Sequence, residues 1–179
     1  MTDAEFEAAL ARAELIHNEA VIDAAIERMG AEITQAMRGM RPHYICVLTG
    51  GLILAGKLAP RIDLDLDFDY LHATRYRGAI TGAWLELKAK PRHLFEGRDV
   101  LLVDDILDEG KTLAALVEMA ATGGAKSVRI AVLARKLHDR CVPGLRADFI
   151  GLEVPDRYVF GYGMDMHERG RNLKGIYAV

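Results

Sequence analysis

Apolar residues recur at helical spacing through residues 3–38, as Leu10, Ala13, Ile16 and Ala20 and then Val21, Ala24 and Ala25. This predicts one broken helix or two short ones, with Asp3 as the N-cap. The texture changes at Tyr44, where five apolar positions run without a break to Leu48 and stop before Gly50 and Gly51, the pattern of a buried strand. LILAGKLA has helical composition and ends at Pro60, and residues 63–73 then alternate acid with apolar side chains, as a half-buried strand does. Residues 75–82 hold two glycines and no sustained period, which predicts a mobile loop, followed by a strand over 83–88. Val100 to Val103 is apolar at every position, a helical run follows from Lys111 to Ala121, and Val128 to Ala134 is apolar again. Strand, helix and strand with glycine-marked turns predict a right-handed parallel crossover, and so an α/β fold with a mainly parallel twisted sheet flanked by helices. Beyond Asp148 the pieces DFIGLE, RYVFGY and GIYAV are short and strand-like.

At 179 residues the chain is expected to form one domain. Lysine and arginine number 23 against 26 aspartates and glutamates, a formal charge of −3, which disfavours a dedicated nucleic-acid binder. The 51% hydrophobic content is ample for a packed core and argues against disorder. Cys46 and Cys141 have no CxxC partner, so neither a disulfide framework nor a thiolate zinc site is indicated. With an acidic start, no basic leader and no apolar stretch near the roughly 18 residues of a membrane span, the expected setting is cytoplasmic, without membrane contact.

The stretch LLVDDILDEGKT, residues 101–112, carries the most chemistry. Ligands of parallel α/β sheets bind beyond the carboxyl ends of the strands, where this apolar strand meets Asp104 and Asp105. The helix start then offers unpaired N–H groups, with Gly110 permitting close approach and Thr112 adding a hydroxyl, a set suited to phosphate. Acids around a phosphate nest repel phosphate unless they face a divalent cation or sugar hydroxyls, and a sugar phosphate satisfies both halves of the loop. Taken alone, the block fits a polar loop with a dipole-stabilised acidic helix start equally well. A Walker A loop is excluded because Asp105 stands where its first glycine belongs.

The whole block resembles the phosphoribosyl-diphosphate (PRPP) motif of type I phosphoribosyltransferases, and the chain is similar to the hypoxanthine-guanine group of 6-oxopurine salvage enzymes. VLTGG resembles that group's first loop, ATRYRG the start of its flexible lid, and PDRYVFGYGMDMHERGRNL its C-terminal purine and pyrophosphate segment. The likeness runs from about Tyr44 to the C-terminus. It implies a type I phosphoribosyltransferase-like core over about 40–145 and a small hood from about 146–179 plus part of the N-terminal helices, within a single domain 1–179. It implies that Asp104 and Asp105 hold the ribose hydroxyls, that Asp108 accepts the N7 proton of the purine, and that Asp108, Glu109, Gly110, Lys111 and Thr112 surround the 5′-phosphate. Glu109 departs from the serine or threonine often found there. Thr49, Gly50 and Gly51, after a cis Leu48–Thr49 peptide, and Arg171 match the pyrophosphate site, although Thr49 replaces a common lysine or arginine.

The base pocket implied is Ile106, Tyr158 as the stacking aromatic, Val159 at the base edge, Asp165, and Arg146 where the family has a lysine for the purine 6-oxo group, if LRADFIGLEVPD is aligned without a gap. Arg75 and Tyr76 match the lid, and Mg2+ is the implied cofactor, near Asp165, Asp104 and Asp105. The activity implied is phosphoribosyl transfer from PRPP to N9 of hypoxanthine or guanine, with xanthine open, in a homodimer or homotetramer that binds small-molecule substrates and no nucleic acid. Alternatives are a PRPP-sensing regulator of the same fold that binds nucleic acid, disfavoured by the charge, and an enzyme for uracil or orotate, disfavoured by RYVFGYGMD. The aspartates at 63, 65, 67 and 69 lack the glycine and glutamate of a calcium loop and are expected on a solvated strand face. GYG followed by Met166 fails the dinucleotide fingerprint.

Overall fold

The computed structural model describes residues 1–75, 85–89, 91 and 95–179, with the side chains of residues 74, 75, 85 and 86 left aside. Six strands form the main sheet: β2 (His43–Leu48), β3 (Asp67–Arg75), β4 (Leu85–Ala89), β5 (Asp99–Leu107), β6 (Ser127–Lys136) and β7 (Phe149–Val154). Their order is β4-β3-β2-β5-β6-β7, and only β4 runs antiparallel to its neighbour. From β2 the chain moves outward to β3 and β4, then returns to β5 on the other side of β2 and proceeds to β6 and β7. The strand order therefore reverses between β2 and β5, and the loops leaving their carboxyl ends diverge there and open a crevice.

Helices α2 (Glu19–Ala36) and α3 (Leu52–Leu58) cover one face of the sheet, and α4 (Lys111–Thr122) the other. Ile22, Ile26, Met29 and Ile33 recur along α2 at helical spacing and pack with Tyr44, Leu101 and Leu133 from the strands. On the α4 side, Leu116 and Ala120 meet Ile45, Val100 and Leu102. Because β2 and β5 are covered on both faces, their runs of apolar residues do not alternate with polar ones.

A second sheet of order β1-β9-β8 joins β1 (Glu14–His17), β8 (Val159–Phe160) and β9 (Ile176–Ala178). The N-terminal segment departs from the sequence expectation here. Helix α1 (Asp3–Arg12) ends before Ala13, ELIH is strand β1, and Asn18 caps α2 through Val21 N–H. Pairing of Glu14 and Leu15 with Ala178 and Tyr177, more than 160 positions along the chain, supplies what local periodicity cannot. The N-cap of α1 is Thr2, in a reciprocal box with Glu5, while Asp3 is the first helical residue and pairs with Arg169.

Strand β3 also differs from expectation. It begins at Asp67, and its acids are not on a solvated face: Asp69 is buried 3.4 Å from His43, and Asp67 pairs with Arg98. Phe68 and Tyr70 are the exposed residues. Strand β4 starts at Leu85, and positions 83 and 84 lie outside the described residues.

Candidate active site

Strand β5 continues past its apolar half, so Asp104, Asp105 and Ile106 are still within the ladder, paired alongside Val132 to Ala134 of β6. The sequence predicted the strand to end at the acid pair, with a loop following. The extension fixes both acids on a rigid strand at the crevice, where they line a cavity of about 830 Å³. Gly50, Asp108 to Thr112, Tyr158, Val159, Asp165 and Arg171 line the same cavity. Thr49 and Gly51 are not on its wall, and the Leu48–Thr49 peptide is cis.

Three backbone segments close around Asp105. A Cβ built on Gly50 would lie 2.0 Å from an Asp105 carboxylate oxygen, and one on Gly163 would lie 2.3 Å from the Gly50 carbonyl. Any side chain at Gly50 would push this loop off the acid pair. Arg171 spans the third segment. Its Nη1 donates to the Gly163 carbonyl at 2.6 Å and its Nη2 lies 2.6 Å from Asp165 Oδ1. The Asp165 carboxylate also accepts from the Glu168 N–H at 2.6 Å.

The Asp105 N–H donates to Asp104 Oδ1 at 2.9 Å. Enclosure raises the proton affinity of both carboxyls, that of Asp104 well above the ordinary range, and for Asp104 the charge of Asp105 adds to the effect. Arg171 offsets this only in part. Two crowded carboxylates short of positive charge are suited to hydroxyl donors or a cation. Among the described residues no three His, Cys, Asp or Glu side chains converge as a metal cluster, so Asp165, Asp104 and Asp105 do not form one ligand set. A hard dication would draw its other oxygens from substrate and water, the usual habit of Mg2+.

Helix α4 has Gly110 as its N-cap, with a left-handed φ of +76°. Its first intrahelical bond runs from Ala114 N–H to the Gly110 carbonyl at 2.8 Å, which leaves the preceding N–H groups of the first turn without helical acceptors. The Glu109 carboxylate sits 2.6 Å from Lys111 Nζ, so a cation at the helix start offsets its charge.

Asp108 is gripped at both oxygens. Lys136 Nζ donates to Oδ2 at 2.6 Å and His138 Nε2 lies 2.6 Å from Oδ1. Partial burial favours the protonated carboxyl, but these two contacts outweigh it and hold the Asp108 pKa below the ordinary range.

Lys136 and Arg140, neither of them singled out by sequence, also line the cavity. Lys136 ends β6, and the β5–β6 register that sets Leu107 beside Arg135 carries on to set Asp108 beside Lys136. Arg140 is held by Asp156 through two bonds of 2.8 and 2.6 Å. Arg146 is not on the cavity wall. With Leu145, Ala147 and His138 it lines an adjoining cavity of about 460 Å³, which Asp108 and Lys136 also border. The ungapped alignment placed it by its distance from β7. A residue just before a parallel strand lies toward the amino ends of the sheet, whereas ligands collect at the carboxyl ends. The basic residue at the end of β6 was the signal to follow.

Tyr158 is half-exposed at the cavity mouth, with its ring stacked near that of His167 and its hydroxyl donating to the Asp165 carbonyl at 3.3 Å. Val159 is buried in β8 and Ile106 projects from β5. Arg75 ends β3, and Tyr76 with the remainder of the expected lid lies outside the described residues. Among the described residues no helix is long and apolar enough to cross a membrane.

Comparison with known proteins agrees with this geometry. The family described as Phosphoribosyl transferase domain matches residues 13–167. A hypoxanthine-guanine phosphoribosyltransferase of Bacillus subtilis is 36% identical over 160 residues, 89% of this chain and 88% of its own length. A hypoxanthine-guanine-xanthine phosphoribosyltransferase of Tritrichomonas foetus is 31% identical over 162 residues, covering 90% and 88%. The crystal structure of a hypoxanthine phosphoribosyltransferase from Staphylococcus aureus superposes with a TM-score of 0.86 at 28% identity, over 93% of this chain and 90% of that one. With the acid pair on β5, the start of α4 and the C-terminal segment around a shared cavity, the chain belongs to the phosphoribosyl transferase domain family, among the hypoxanthine-guanine phosphoribosyltransferases.

Proposed function

We propose that this chain transfers the 5-phosphoribosyl group of PRPP to N9 of hypoxanthine or guanine, giving IMP or GMP and pyrophosphate. The observation that carries the reading is one cavity whose wall carries the Asp104–Asp105 pair, the open N–H groups at the start of α4 and Asp108 held by Lys136. The free N–H groups at the start of α4 hold the 5′-phosphate, and Asp104 and Asp105 accept from the ribose hydroxyls. The Gly50 backbone and Arg171 face the leaving pyrophosphate, and Arg171 keeps its position through Gly163 and Asp165. The base packs against Tyr158, Ile106 and Val159, Lys136 donates to its 6-oxo group, and Asp108 takes the N7 proton as N9 bonds to the anomeric carbon. Mg2+ bound with PRPP would neutralise diphosphate charge, with Asp104 and Asp105 the carboxylates suited to hold it. Asp165, engaged by Arg171 and Glu168, is suited to orienting the arginine.

Incubation with PRPP, Mg2+ and a panel of hypoxanthine, guanine, xanthine, uracil and orotate, with products separated by chromatography, tests the reading. IMP and GMP are expected. Product from uracil or orotate alone would overturn it, and a xanthine product would extend the specificity toward that of the Tritrichomonas relative.

The 6-oxo assignment separates two cations. Lys136→Ala should raise the Michaelis constant for hypoxanthine about 10-fold or more, the effect of losing a charged hydrogen bond. Arg146→Ala should leave it within about twofold. Steady-state kinetics with hypoxanthine varied at saturating PRPP decides, and the opposite ranking would return the role to Arg146.

A second copy of the chain is the proposed partner, and Leu52 and Tyr70 are exposed apolar side chains for it to cover. Both cysteines are free thiols, and a cytoplasmic setting remains part of the proposal.

A further inference from the structure

Asp108 meets two donors, one at each carboxylate oxygen. Asp108 and Lys136 line both the substrate cavity and the adjoining one, whereas His138 lines only the adjoining one, with Arg146. The His138 side chain is only 3% exposed. Its ring orientation is fixed by the backbone: the Arg140 N–H donates to His138 Nδ1 at 3.0 Å. A nitrogen that accepts cannot carry the proton, so the imidazole is the neutral tautomer with its hydrogen on Nε2, aimed at Asp108 Oδ1 2.6 Å away.

We infer that His138 is a positioning residue for the transfer reaction, a rear anchor that holds Asp108 Oδ1 while Oδ2 is released to the purine. The inference rests on the proposed role of Asp108 as proton acceptor. In the free protein Oδ2 is engaged by Lys136. When an entering base draws Lys136 to its 6-oxo oxygen, Oδ2 loses its partner and is left to receive the N7 proton. Without a second donor the carboxylate would then be free to rotate about its Cβ–Cγ bond. His138 prevents this from outside the substrate cavity.

Two replacements isolate the donor. Glutamine can place its Nε2–H near the imidazole Nε2 position, whereas methionine has similar reach and no donor, and neither reproduces the fixed imidazole acceptor for Arg140 N–H. His138→Met should lower kcat for IMP formation about 10-fold or more, with the PRPP Michaelis constant within about twofold and the melting temperature near wild type. His138→Gln should recover kcat to within about threefold of wild type. Wild-type kcat in the methionine variant, equal impairment of both variants, or a loss confined to PRPP binding would each overturn the inference. Nitrogen-15 NMR of the wild-type imidazole supplies a readout independent of turnover and of variant folding. The Nε2–H tautomer is expected, with its proton signal shifted upfield in Asp108→Ala, and an Nδ1–H tautomer would overturn the assignment. If the wild-type protein formed no nucleotide, the transferase reading would fall, while the NMR result would still decide whether His138 holds Asp108.

Discussion

Asp108→Asn is expected to lower turnover for IMP formation by roughly 10²–10⁴-fold, the range for removing a positioned general base, while the Michaelis constant for PRPP changes little. Asparagine has nearly the same shape and keeps the backbone that leads into the α4 cradle. It cannot accept the N7 proton, and its amide presents hydrogens to one of two positions now facing the Lys136 and His138 donors. A steady-state split, with kcat depressed and PRPP binding retained, marks a group acting in the transition state. Near wild-type turnover would exclude Asp108 as the acceptor. The substitution also removes an acid-sensitive stabilising group. Because the folded-state pKa of Asp108 lies below the ordinary carboxylate range, its contribution is present above that range and is lost as pH falls through the folded value. The stability gap between wild type and Asp108→Asn, followed by thermal melts, should therefore narrow toward acid pH.

The parts of this site legible in the sequence are those built from adjacent residues. Asp104 to Thr112 reads as one block because a strand end, a turn and a helix start follow one another, and the structure brings that block to one wall. The same is true of the parallel core, where β2, β5 and β6 are apolar runs bounded by turn residues. What the sequence hid depends on pairing between distant segments. Strand β1 takes its conformation from β9. The acids of β3 face inward because Asp67 and Asp69 meet Arg98 and His43, which no alternation pattern reveals. Lys136 and His138 reach Asp108 through the register of β5 on β6. Counting residues back from β7 led to Arg146 instead, which precedes the amino end of its strand, whereas Lys136 stands at the carboxyl end of β6.

Asp104→Asn should make the protein more stable and the enzyme worse. In the folded chain Asp104 has its proton affinity raised by enclosure and by the charge of Asp105. A carboxyl whose folded pKa exceeds its unfolded one is harmless while both states are protonated. It destabilises the fold as pH rises from the unfolded value through the folded one. At pH 7.5 the wild-type protein carries that penalty, and asparagine removes it while keeping an Oδ1 that can accept the Asp105 N–H. The melting temperature should rise by about 2–4 °C, which for a domain of this size corresponds to about 1 kcal/mol, and the gain should vanish in melts run at acid pH. Turnover moves the other way. Loss of a charged acceptor for the ribose hydroxyls is worth about 10–100-fold in kcat/KM for PRPP. Stability and activity therefore oppose each other at this position because, in the proposed complex, ribose hydroxyls and Mg2+ relieve a repulsion that Arg171 offsets only in part. A variant that melts at or below the wild-type temperature at pH 7.5 would show that the acid pair is already neutralised within the protein, and the reason for placing a ribose against it would be gone.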